Sequence, residues 1–259
     1  MDEQGGRVKS FPPFLMRNIK LILQYEGTRY HGWQVQPGRA TVCGVLKEKL
    51  QSVINEPAVV YASSRTDSGV HALCQVANFR TGSDIPAENL RTALNGMLPE
   101  DICVLAAEDA PADFHACYSA RSRKYRYTIR TSLIRSPFDR LYSYHYPRRL
   151  DADVMKKAAG CLKGTHDFSA FKSARGKKLN RVRTVIAADV RCEDDYVHID
   201  VEADGFLTYM VRNMAGTLME AGRGRVGPGG VRDILKSRDR NKAGPTLPAR
   251  GLWLVGVEY

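Results

Sequence analysis

Hydrophobic periodicity changes in the same order twice along this chain, and that repeat limits the fold more than any single motif does. Residues 18–25 place Ile19, Leu21, Leu23 and Tyr25 at a spacing of two, the mark of a half-buried strand. Residues 41–54 switch to helical spacing through Val42, Val45, Leu46, Leu50, Val53 and Ile54, with Thr41 placed to cap them. A strand around Val59 and another over 73–80 follow. The next helix has Pro86 in its first turn, Ser83 or Asp84 as its cap and an apolar face of Leu90, Leu94 and Met97. A strand at 102–107 completes β-α-β-β-α-β. The order then recurs. Residues 123–130 alternate as a strand, and Asp151 caps a helix over 152–162 facing inward through Val154, Met155, Ala158 and Leu162. Strands at 183–190 and 196–203 flank a Cys-Glu-Asp-Asp turn. Helices over 206–221 and 231–236 and a strand over 252–258 close the chain.

The class is therefore α+β, built from two ferredoxin-like (RRM-like) halves. Residues 1–17 are expected as a poorly ordered lead-in, 18–115 as the N-terminal half and 116–259 as the C-terminal half. Two such halves set side by side, with helices on one face, leave a cleft on the other.

Composition narrows the partner. With 39 Lys and Arg against 28 Asp and Glu, the formal charge is +11, which suits a polyanion whose counterions such residues release. An acidic membrane would favour one basic amphipathic helix or a polybasic tail, and neither stands out. No apolar run approaches the roughly 20 residues needed to span a bilayer. Cys43, Cys74, Cys103, Cys117, Cys161 and Cys192 are scattered, without CxxC or zinc-type spacing, and read as reduced thiols of a cytoplasmic protein. No GxGxxG, P-loop or metal cluster is present, so neither cofactor nor metal is implied.

Between the strand around Val59 and the strand over 73–80 lies ASSRTDSGVHA, residues 62–72. Asp-Ser-Gly is a turn signal, with Gly69 able to take a positive φ. By the turn alone this is a polar hairpin with an incidental histidine, yet a turn needs neither Arg65 nor His71. A neighbouring arginine would hold Asp67 ionised, and burial would make it reactive. Two other stretches carry possible chemistry. In residues 122–127, SRKYRY, Tyr125 and Tyr127 share one strand face while Lys124 and Arg126 take the other. In residues 206–216, FLTYMVRNMAG, a helical wheel places Arg212 off the apolar face, where it reads as a solvent arginine. The loop YEGTRYHGWQVQ fits either a binding rim or closure of the core edge. Residues 171–183, FKSARGKKLNRVR, hold Lys172, Lys177, Lys178 and Arg181 with almost no acidic relief, and we read them as phosphate contacts.

The string RTDSGVHA resembles the active-site motif of the TruA family of tRNA pseudouridine synthases, and FLTYMVRN and RKYRY resemble two further family motifs. YEGTRYHGWQVQ, DFHACYSARSRKYRY and GTHDFSAF add weaker matches, so that the resemblance spans about residues 19–259. It implies Asp67 as nucleophile, Arg212 as its partner, Arg65 beside it, and Tyr125 stacked on the target base. Arg126 and His71 join the substrate site on the same basis. It further implies a shared central antiparallel sheet, a homodimer, and uridines at tRNA positions 38, 39 and 40 as targets, with no DNA partner. Ser68 stands where alanine is common, and Cys117 where relatives often carry arginine, which would remove one RNA contact.

Two other readings compete. A hydrolytic or metal centre on His71, His115 or His166 lacks a ligand-spaced histidine pair or a serine elbow. A non-catalytic RNA-binding module of paired RRM-like halves would leave RTDSGVHA without a role, and RKYRYTIR is a poor RNP strand.

Overall fold

The computed structural model describes residues 16–173 and 180–259. The first half runs β1 (Arg17–Tyr25), α1 (Val42–Ile54), β2 (Tyr61–Ala62), β3 (His71–Thr81), α2 (Ala87–Met97) and β4 (Ile102–Ala110). The second runs β5 (Ser122–Arg130), β6 (Tyr144–His145), α3 (Ala152–Gly160), β7 (Gly164–Asp167), β8 (Val182–Glu193), β9 (Tyr196–Ala203), α4 (Met210–Gly222), α5 (Pro228–Ser237) and β10 (Leu252–Glu258). All of these strands belong to one sheet, ordered β4-β1-β3-β10-β5-β9-β8-β7, with β2 beside β3 and β6 beside β5. Each half keeps the spatial order fourth, first, third, second: β4-β1-β3-β2 and β10-β5-β9-β8.

The halves meet because β2 is short. It pairs with β3 at Asn78 and Ala77, the Ser63 N–H adds one bond to the Val76 carbonyl, and the chain then leaves the sheet as the loop carrying Asp67. That departure frees the β3 edge at His71 and Ala72, where β10 pairs in parallel through Trp253 and Leu254. The shared sheet is thus mixed, antiparallel within each half at β1–β3, β1–β4, β5–β9, β5–β10 and β8–β9 and parallel at the seam. The Asp67 loop lies at this seam.

Period-two burial drives β1, where Ile19, Leu21 and Leu23 are fully buried, and β5 and β9, where Tyr127, Ile129, Ile199 and Val201 are. Leu46 and Leu50 of α1, Leu90 and Leu94 of α2, and Met214 and Leu218 of α4 complete one continuous core. Thr41 caps α1 by accepting from the Gly44 N–H, and Asp151 caps α3 by accepting from Val154.

Several expectations shift. Pro86 itself occupies the cap position of α2 without a side-chain bond, while the Ser83 hydroxyl accepts from the Ile85 N–H instead. Met97, in the last turn of α2, is exposed. α4 starts at Met210, after Tyr209 turns the chain through a left-handed φ of 64°. β7 is short and polar, and pairs only with β8, so it carries no hydrophobic period to read. Tyr30 and Trp33 of the first loop are buried and close the core edge, while Trp33 and the exposed Gln34 also line a cleft, so that the loop serves both as closure and as rim.

Candidate active site

The loop from Ser63 to Val70 is held from behind by the loop after β1. The Trp33 N–H donates to the Thr66 carbonyl at 3.1 Å and the Gly69 N–H to the Tyr30 carbonyl at 3.2 Å. The two backbones run so close that a Cβ on Gly27 would sit 2.0 Å from the Val70 oxygen, and one on Gly32 would sit 2.6 Å from that of Thr66. Only glycine fits these positions. The Val70 N–H closes the turn on the Asp67 carbonyl, with Gly69 at a φ of 76°.

Asp67 faces a cleft of about 1550 Å³, which Arg65, Tyr125, Phe206, Arg183 and Tyr118 also line. Its side chain keeps 24% of its exposure, and Arg212 Nη1 stands 3.7 Å from Oδ2. Arg212 is not the solvent residue its wheel position predicts. It is 15% exposed, donates from Nε to the Leu247 carbonyl at 2.7 Å and lies 4.6 Å over the Tyr209 ring. The wheel marked the side away from the core correctly, but that side faces the seam. The expectation that the arginine dominates the carboxylate also changes. Burial raises the Asp67 pKa above the ordinary carboxylate value, and Arg212 pulls it only part of the way back.

Tyr125 is 5% exposed, packs edge-on against Phe206 at 5.1 Å, and exchanges a 2.7 Å hydrogen bond with the Ser64 hydroxyl. Burial pushes its phenol up to about 12, so it stays neutral. Arg65 is exposed on the cleft wall and forms no ion pair among the described residues.

Other expected residues are not brought to this point. His71 is fully buried behind the seam. Its Nδ1 accepts from the Gly27 N–H at 3.0 Å, its Nε2 donates to the Leu141 carbonyl at 2.9 Å, and its ring stacks on Trp253 at 4.4 Å. Burial lowers its pKa, which suits the neutral ring this bonding requires. Arg126 takes the other face of β5 and pairs with Asp200 at 2.8 Å. Lys172 donates to the Ser173 carbonyl, and the exposed Arg181 reaches the Ser169 hydroxyl at 3.5 Å; neither lines the cleft. Lys177 and Lys178 lie outside the described residues. Arg183, at the start of β8, does line it.

Gln75 and Arg123 escaped the sequence reading. Gln75, fully buried in β3, donates to the Ser64 carbonyl at 2.7 Å and accepts from the Ser63 hydroxyl at 2.8 Å. Arg123, 8% exposed, donates to the carbonyls of Ser63, Ala120, Asp204 and Cys117. A glutamine inside an apolar strand was the available signal for the first; for the second it was parity, which puts Arg123 on the same face of β5 as Tyr125 and Tyr127. Among the described residues no three His, Cys, Asp or Glu side chains are grouped to hold a metal ion, and no helix is long and apolar enough to cross a membrane.

Residues 21–119 and 158–259 match the family described as tRNA pseudouridine synthase. A tRNA pseudouridine synthase A of Thermoanaerobacter sp. (strain X514) is 46% identical over 244 residues, which cover 94% of this chain and all of that protein. The corresponding protein of Acetivibrio thermocellus is 44% identical and that of Pelobacter propionicus 43%, each with the same coverage.

Proposed function

Because the chain belongs to the tRNA pseudouridine synthase family, we propose that it isomerises uridine to pseudouridine at positions 38, 39 and 40 of tRNA, using Asp67 as nucleophile. The observation that carries this reading is the part-buried Asp67 carboxylate on a cleft wall, 3.7 Å from Arg212. Isomerisation breaks the C1′–N1 bond and forms C1′–C5. The proton leaves C5 and N1 gains one, so no atom is added and no cofactor is called for.

The roles follow from position. A uridine still stacked in an RNA helix cannot reach Asp67, so the base must be extruded into the cleft. Tyr125 supplies an aromatic wall there, held at its hydroxyl by Ser64. Arg212 favours the ionised carboxylate against burial, and its bond to the Leu247 carbonyl holds the guanidinium in place beside it. Arg65, exposed on the cleft wall, offers its cation to the incoming RNA. Lys172, Lys177, Lys178 and Arg181 remain our candidates for phosphate contact. We place the enzyme in the cytoplasm as a homodimer whose two subunits share the tRNA, and the halves 18–115 and 116–259 as its structural units.

A non-catalytic RNA platform would have no use for a carboxylate on the wall of its binding cleft, since it repels phosphate. The separating experiment incubates the protein with a uridine-containing tRNA transcript and looks for an isomer of unchanged mass at positions 38–40. Asp67→Asn should abolish the product while tRNA affinity changes by less than about tenfold. Turnover by Asp67→Asn close to wild type removes Asp67 from its role, product on another tRNA arm sinks the positional assignment, and sedimentation of the active species as a monomer overturns the dimer.

A further inference from the structure

The mouth of the cleft carries a run of aromatic rings that the chemistry at Asp67 does not use. Tyr61, His115 and Tyr118 all line the cleft that holds Asp67. Their ring centroids follow at 4.6 Å from Tyr61 to His115 and 4.4 Å from His115 to Tyr118, with interplanar angles of 43° and 35°. The run ends in the open: Tyr118 is 85% exposed. A tyrosine that exposed gains little from burial, so the core does not explain its presence.

The turn beneath the rings is rigid. His115 Nδ1 accepts from the backbone N–H of Cys117 at 3.1 Å and of Tyr118 at 3.3 Å, which leaves the ring proton on Nε2. The Ser119 N–H donates to the His115 carbonyl at 2.9 Å, and the His115 N–H donates to the Ser119 hydroxyl at 3.0 Å. Three further elements fix the turn to the sheet. Asn78 accepts from the Ala116 N–H, the Tyr259 hydroxyl donates to the Ala116 carbonyl, and Arg123 donates to the Cys117 carbonyl. An exposed ring on such a base loses little freedom when something stacks on it.

We propose that Tyr61, His115 and Tyr118 form a stacking platform for an unpaired nucleobase of the tRNA, next to the uridine drawn into the cleft. This rests on the reading of the chain as a tRNA-modifying enzyme. Aromatic faces accept any base, because every base has a π-face, and Arg65 and Arg183 on the same cleft supply positive charge for the connecting phosphates. Extruding one uridine unstacks its neighbour, and the platform offers that neighbour a surface to replace the one it lost.

The test uses the full-length protein with a tRNA transcript in single-turnover experiments at varied enzyme concentration. Tyr118 is exposed enough that Tyr118→Ala should fold and melt as wild type does. It should raise the half-saturating enzyme concentration by about five- to a hundredfold, while the rate at saturation falls by less than about threefold. Tyr118→Phe, which keeps the ring, should stay within about threefold of wild type in both quantities. A second arm does not depend on turnover: 2-aminopurine in a short single-stranded RNA should be quenched by wild type and by Tyr118→Phe, and far less by Tyr118→Ala. Wild-type-like saturation and quenching for Tyr118→Ala overturn the platform even if wild type makes pseudouridine. Quenching lost in Tyr118→Ala, with no pseudouridine formed by wild type on any tRNA, supports the platform and overturns the enzymatic reading.

Discussion

The two sides of the Asp67 loop are built on opposite principles. Behind the loop, buried polar groups find partners within the protein. Gln75 meets Ser63 and Ser64, the Tyr25 hydroxyl meets Thr66 at 2.8 Å, and Arg123 holds the Ser63 carbonyl at 3.1 Å. In front, Asp67 has one cation at 3.7 Å among the described residues, and burial raises its pKa further than that cation lowers it. The difference shows where rigidity and reactivity are kept. A satisfied network fixes the backbone in one conformation, and a carboxylate left short of partners is positioned without being quieted. His71 makes the same point within one motif. Four residues from Asp67, it is fully buried with both ring nitrogens engaged, and belongs to the rear support.

Breaking the front should cost turnover first. Tyr125→Leu removes the aromatic wall, and with base stacking worth about 1–3 kcal/mol its single-turnover rate should fall about ten- to a hundredfold. Tyr125→Phe keeps the ring and loses only the bond to Ser64, so it should retain most activity. A Phe variant as impaired as Leu would assign the chemistry to the hydroxyl.

Breaking the rear should cost stability more than rate. Gln75→Leu leaves the Ser63 hydroxyl and the Ser64 carbonyl buried without this partner, at about 1–3 kcal/mol for each unmet group. The melting temperature should drop by several degrees, at about 2–4 °C per kcal/mol for a chain of this size. The rate should fall by less than about tenfold, with its pH dependence in place. Unchanged melting, or a rate loss as deep as that of Tyr125→Leu, would erase the distinction between the two sides.

How legible these sides were differs in the same way. The double β-α-β-β-α-β order, Thr41 and Asp151 as caps, and most strand faces followed from period and capping chemistry, because local burial sets those features. The seam did not, because it depends on β2 ending at Ala62 and leaving the β3 edge to β10. Arg212 shows the limit most clearly. Its wheel position specified only that it turned from the core of α4, while the loop it meets lies 145 residues earlier in the chain. Asp67 and Tyr125 were singled out by motif resemblance, whereas the balance between burial and Arg212 at the carboxylate needed coordinates. Gln75 was visible only as a polar residue in an apolar strand, a signal that says burial but names no partner.

The central claim is that Asp67 reacts as a carboxylate whose ionisation is opposed by burial and aided by Arg212. The measurement that tests it is the single-turnover rate of pseudouridine formation against pH for wild type, Arg212→Lys and Arg212→Gln. Since the reactive form is the anion and burial raises its pKa, the wild-type rate should rise with pH through a limb above the ordinary carboxylate range. Arg212→Lys keeps the charge but loses the planar fork that bonds Leu247, so its limb should move to higher pH. Arg212→Gln, with no charge, should move it further. Limbs that coincide in all three proteins, with only the plateau lowered, would contradict the pairing of Arg212 with the reacting carboxylate.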